Sequence, residues 1–142
     1  MGIVLDASMM LNWYFDDEGE AADALIMSLS EVDAVVPSHW AAEVANGILM
    51  GERRGRSTSA QVQGLFALLD NMRVEVDEQG AGQALTHILA LARAHKLTVY
   101  DALYLDLAER RGLPLATRDA DLAEAARSVG IVVLNGGGEA LG

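Results

Sequence analysis

Four carboxylates stand in separate segments of the chain: Asp6, Glu43, Asp101 and Asp119. Asp6 directly follows the apolar run Gly2-Ile3-Val4-Leu5, and Thr117-Arg118-Asp119 directly follows the run Leu113-Pro114-Leu115-Ala116. Both runs read as strands. Glu43 falls in the second turn of a helix that follows a strand, and Asp101 lies near the start of a helix that precedes one. In an open parallel sheet, ligands bind beyond the carboxyl ends of the strands, so the pattern puts all four acids on one edge. Like charges brought together raise one another's pKa, and such a site calls for a cation. Hard oxygen ligands select Mg²⁺ or Mn²⁺. An ion of that kind activates water and neutralises the charge of a phosphoryl transition state. The chemistry indicated is metal-dependent phosphodiester hydrolysis. Each acid also admits a structural role. Asp6 and Asp119 suit helix N-caps, Asp101 suits a capping box with Thr98, and Glu43 suits a solvated helix face.

The elements that would position these residues follow from periodicity and punctuation. Gly2–Leu5, 34–36, 73–76, 113–116 and 131–134 read as strands. Helices are predicted over Met9–Phe15, Glu18–Ser30, His39–Glu52, 58–71, 79–95, 98–111 and 119–129, with Ser38 as a cap and Gly112 and Gly130 as stops. Arg53–Ser59 reads as a polar loop. Short apolar strands separated by helices imply an α/β domain, a parallel sheet with helices on both faces.

Half of the 142 residues are apolar (51%), enough for one core, and there are no cysteines. Disulfide scaffolds, zinc ribbons and cysteine nucleophiles are thereby excluded. No apolar run is long enough to span a bilayer, and Asp6 interrupts the N-terminal one, so a cytoplasmic protein is expected. The net charge of −11 counts against a nucleic-acid partner, but the charge is unevenly placed. Residues 1–50 carry no Lys or Arg, and the basic residues begin with Arg53, Arg54 and Arg56. Local Arg clusters can still hold phosphates. None of His39, His87 and His95 is required by this chemistry, and His39 reads as a surface residue.

The same residues resemble a known family. Val4-Leu5-Asp6-Ala7-Ser8 is similar to the opening motif of PIN domains, and Pro37 through Glu43-Val44-Ala45-Asn46 to the second. Tyr100-Asp101-Ala102-Leu103-Tyr104-Leu105 with Ala108-Glu109 and Gly112 resembles the third, and Pro114-Leu115-Ala116-Thr117-Arg118-Asp119 with Leu122 the fourth. The similarity runs from residue 3 to about 133. It implies a PIN-like three-layer fold, a five-stranded parallel sheet of order 3-2-1-4-5 between helices. Residues 1–134 would form the domain and 135–142 a Gly-rich tail. Asp6, Glu43, Asp101 and Asp119 would be the acidic quartet that holds Mg²⁺ or Mn²⁺, with Ser8 and Thr117 as polar support. Asp121 would be an auxiliary acid or an exposed helix residue, the latter preferred. Members of this compact size are mostly VapC-type toxins. They cleave RNA, often tRNA or rRNA, form homodimers, and are blocked by a VapB-like antitoxin whose Arg reaches the acids. The chain departs from many relatives at Asn12, where they carry a basic residue. Arg53, Arg54 and Arg56 are the local candidates for RNA contact, with a helix-end role equally open.

Two other classes compete. A PIN fold could serve only as a dimerising or antitoxin-binding module, its acids vestigial. A haloacid-dehalogenase-type phosphatase or receiver domain also uses an Asp after a strand. The first wants Asp-x-Asp where this chain has Asp6-Ala7-Ser8, and both want a Lys that Lys96 does not supply.

Overall fold

The computed structural model describes residues 2–16 and 31–135. The helix predicted over Glu18–Ser30 and the tail beyond Asn135 lie outside them. Five strands form one parallel sheet: β1 (Gly2–Leu5), β2 (Asp33–Pro37), β3 (Arg73–Asp77), β4 (Leu115–Ala116) and β5 (Val133–Leu134). Their order is β3-β2-β1-β4-β5, as the resemblance implied. Val4 pairs with Val35 on one side and Leu115 on the other. Ile3, Val4 and Leu5 are buried on both faces of this central strand, which is why the run is apolar without alternation.

The helices are α1 (Ala7–Asp16), α2 (Trp40–Arg53), α3 (Ser59–Asp70), α4 (Leu89–His95), α5 (Val99–Arg111) and α6 (Ala120–Ser128). Thr58 caps α3 in a full capping box with Gln61, and α5 stops at Gly112, whose φ of 63° is left-handed. Ser38 is not the cap of α2: the cap position is His39, whose side chain makes no capping bond. The segment predicted as one helix over 79–95 begins instead with a 3₁₀ turn, Ala81–Gln83, and a π turn, Ala84–Ile88. Long-range contacts override local propensity here. Asp106 on α5 is 3% exposed and takes Arg110 Nε at 2.8 Å, while His87 Nε2 stands 3.3 Å away. Arg110 also grips Asp77, and a Cβ on Gly80 would sit 3.2 Å from the Asp106 carboxylate. The chain between β3 and α4 is thus clamped against α5. The apolar residues of α2 and α3 are split between core and surface. Ile48 and Leu65 are buried, whereas Leu49 and Phe66 are exposed along an open apolar groove that Leu69 also lines. Among the described residues no helix is long and apolar enough to cross a membrane.

Helix α1 packs on α2 through two glycines. Leu11 and Phe15, four apart, lie over Gly47 and Gly51, also four apart, and a Cβ on either glycine would collide with the side chain above it. In an exposed helix Gly→Ala stabilises by about 1 kcal/mol. Here Gly47→Ala is predicted to destabilise by about 1–3 kcal/mol through overpacking, read as a lower urea midpoint at unchanged slope. A gain in stability would remove this account of the α1–α2 contact.

Candidate functional site

Asp6 ends the central strand, and its amide donates to Ala116 O of β4 at 2.9 Å. Its carboxylate is 3% exposed. Oδ2 accepts from Thr117 Oγ1 at 2.6 Å and Ser8 Oγ at 2.7 Å, and Oδ1 from the Ser8 N–H at 3.3 Å. These hydroxyls are themselves held: Ser8 Oγ accepts from Arg118 N and Thr117 Oγ1 from Asp119 N. The two supporting residues read from the sequence therefore tie the loop after β1 to the loop after β4. Burial pushes the Asp6 carboxyl above its ordinary range against the pull of these hydrogen bonds, and Glu43 adds to the rise.

Asp119 is the N-cap of α6, its Oδ1 accepting from Leu122 N at 2.9 Å. Thr98 caps α5 through its hydroxyl, which accepts from the Asp101 N–H at 3.1 Å. For Asp119 the capping role and the site position coincide, whereas Asp101 enters its cap only through its amide, half of the expected capping box. The half-buried Asp101 carboxyl is pushed up to about 6, first by burial and then by Asp119, Asp6 and Glu43, with His39 opposing. The four acids thus share one electrostatic neighbourhood.

Glu43 lies in the first turn of α2. Its Oε1 accepts from Tyr104 Oη at 2.7 Å, and His39 Nε2 stands 3.0 Å from the same oxygen, at ion-pair distance but off-line for a hydrogen bond. Burial pushes Glu43 up, but the contacts from His39 and Tyr104 outweigh it and leave the carboxyl below its ordinary value. His39 is not the surface residue its sequence suggested. Its side chain is only 15% exposed, with its ring beside Tyr104 and Tyr100 at centroid distances of 5.2 and 5.5 Å. Tyr104 was not singled out from the sequence either. The signal for both was spacing: His39 is four residues before Glu43, and Tyr104 three after Asp101.

Arg53, Arg54 and Arg56 are not brought to the acids. They are exposed at the far end of α2, roughly 15 Å along the helix from Glu43 at 1.5 Å per residue. Arg56 stacks over the Phe15 ring. Asp121 is exposed. Among the described residues no three acidic or histidine side chains close into a set that could hold a metal unaided. Asp6 Oδ2, Asp119 Oδ1 and Glu43 Oε1 are each turned to a protein donor. The donor set is nonetheless all hard oxygen, and Mg²⁺ keeps several waters and takes only one or two carboxylates directly. The quartet fits such an ion as an open, water-bridged site.

A family model described as the PIN domain matches residues 3–128. Ribonuclease VapC3 of Pyrobaculum aerophilum is 32% identical over 125 residues, covering 87% of this chain and 94% of the relative. Ribonuclease VapC3 of Mycobacterium tuberculosis is 34% identical over 124 residues, covering 87% and 86%. Two solved structures share the fold. PAE2754 from Pyrobaculum aerophilum has a TM-score of 0.69 at 24% identity, over 94% of this chain and 92% of that one. FitAcB from Neisseria gonorrhoeae has a TM-score of 0.64 at 22% identity, over 94% and 97%.

Asp101 is harder to ionise in the folded chain than in the unfolded one. Its contribution to stability is therefore fully present below the ordinary value of 3.8 and is lost as pH rises through about 6. Asp101→Asn, kept neutral throughout, is predicted to raise the thermal midpoint in EDTA at pH 7.5 by on the order of a few degrees. The gain should vanish near pH 4. A variant less stable than wild type at pH 7.5 would contradict the like-charge origin of the shift.

Proposed function

The chain belongs to the PIN-domain family, and from that premise we propose that it is a metal-dependent endoribonuclease, the toxin of a type II toxin–antitoxin pair. The observation that carries the reading is that Ser8, Thr117 and the Tyr104 hydroxyl tie together the four segments that bear Asp6, Glu43, Asp101 and Asp119. Acids that repel one another at a sheet edge are suited to a cation and a phosphodiester. Asp6, Glu43, Asp101 and Asp119 would hold Mg²⁺ or Mn²⁺, with Ser8 and Thr117 orienting Asp6. When bound, such an ion supplies a polarised water and charge neutralisation at the phosphate. The chain's own part is to bring the four segments that carry the carboxylates to one edge of the sheet, and to keep Asp6 shielded from bulk water. The curated relatives are named as ribonucleases, which supports RNA over other phosphodiesters. tRNA or rRNA is the substrate class proposed, a VapB-like antitoxin the partner, and a homodimer the assembly.

The test is cleavage of a tRNA and rRNA pool by the purified chain in Mg²⁺. Asp6→Asn and Asp101→Asn should each slow cleavage at least about 100-fold, since each removes a carboxylate that would hold the ion that neutralises transition-state charge. EDTA should abolish it, and Mn²⁺ should restore it. Wild-type rates from either variant, or full activity in EDTA, would sink the assignment.

A further inference from the structure

One hydroxyl touches three of the four segments that carry the acids. Tyr104 is fully buried and sits one turn after Asp101 on α5. Its oxygen accepts from the Ala7 N–H at 3.3 Å, the amide next to Asp6, and donates to Glu43 Oε1 at 2.7 Å. Both bonds answer a physical need. The Ala7 amide is one of the orphan donors at the start of a helix, and a buried phenol without a partner costs about 1–3 kcal/mol. Glu43 has the opposite problem. A glutamate in the first turn of a helix has a long side chain, and repulsion from the neighbouring carboxylates favours rotamers that swing it into water. Tyr104 and His39 are what oppose that swing, and both contacts fall on Oε1. His39 is itself held between Tyr100 and Tyr104.

We propose that Tyr104, assisted by His39, is a positioning residue that clamps Glu43 Oε1 and leaves Oε2 for the divalent ion. The proposal rests on the metal-site reading above. Burial, then Asp6 and Glu43, hold the phenol's pKa far above its ordinary value. Tyr104 is the donor in the bond to Glu43. Groups that orient a metal ligand through a hydrogen bond change metal affinity about 10–100-fold when removed.

The experiment is Mn²⁺ binding to the RNA-free full chain, followed by loss of the free-ion EPR signal. It compares wild type, Tyr104→Phe, Glu43→Gln and the double variant, with thermal midpoints for each. Tyr104→Phe is expected to weaken Mn²⁺ binding about 10-fold in the wild-type background and to have no effect in the Glu43→Gln background. A loss of equal size in both backgrounds would mean a general structural defect, and no loss in wild type would mean no clamp; either overturns the proposal. If Tyr104→Phe does not fold, His39→Asn repeats the cycle without opening the core. It should show the same pattern at smaller size, and wild-type affinity in that variant overturns the proposal as well. The two levels are separable. If Glu43→Gln and Asp6→Asn both bind Mn²⁺ as wild type does, it is the metal-site reading that fails, and the clamp falls with it.

Discussion

The carboxylate of Asp6, closed off from water at the end of the central strand, is the constraint on which the rest of the site is built. A charge-bearing group in that position must be satisfied by protein donors, because a buried group left without partners is penalised heavily. Thr117 Oγ1, Ser8 Oγ and the Ser8 N–H supply them. The partners come from the first turns beyond β4 and β1, and their hydroxyls accept in turn from the amides of Asp119 and Arg118. Satisfying one carboxylate therefore fixes two segments against each other, and the Asp119 amide is held by the same hydroxyl that donates to Asp6.

Helix α5 is anchored by contrasting electrostatics at its two ends. Its N-terminal turn faces like charges and holds Asp101 in a partly buried setting that disfavours ionisation. Further along, Asp106 is ion-paired with Arg110 and lies 3.3 Å from His87, and Arg110 reaches across to Asp77, whose carboxyl it holds below the ordinary range. The stretch from Ala102 to Ala108, apolar but for Asp106 and the Tyr104 hydroxyl, is buried. The paired charges and the apolar stretch fix the helix, so the unpaired acidic end is presented without being free to relax away from its neighbours. The π turn at Ala84–Ile88 belongs to this arrangement, since it lies where His87 meets Asp106.

Much of the domain was legible in the chain itself. Four short apolar runs and the alternating run at 73–76 marked the five strands, the last two of which are two residues shorter than read, and the resemblance gave their order. Pattern placed Asp6, Glu43, Asp101 and Asp119 at one sheet edge because, in a parallel α/β fold, the end of a strand and the start of the next helix lie at the same edge. Thr58 and Gly112 announced a helix start and a helix stop through chemistry confined to one turn. Ser38 had the same signature and failed, because the chain enters α2 through His39 instead.

Tertiary structure decided what depends on partners far apart in sequence. Tyr104 meets Ala7 and Glu43 across separations of 97 and 61 residues. Its spacing puts it on the same helix face as Asp101, but no local pattern tells which groups of other segments it meets. His39 sits four residues before Glu43, but only the rings of Tyr100 and Tyr104 keep it from solvent. The broken helix after β3 follows from a buried carboxylate on a different element. Residue type and spacing fix which groups can meet at an edge, because helix and strand periods are local. Which of them touch, and which oxygen of a carboxylate stays free, is set by packing between elements that the sequence lists far apart.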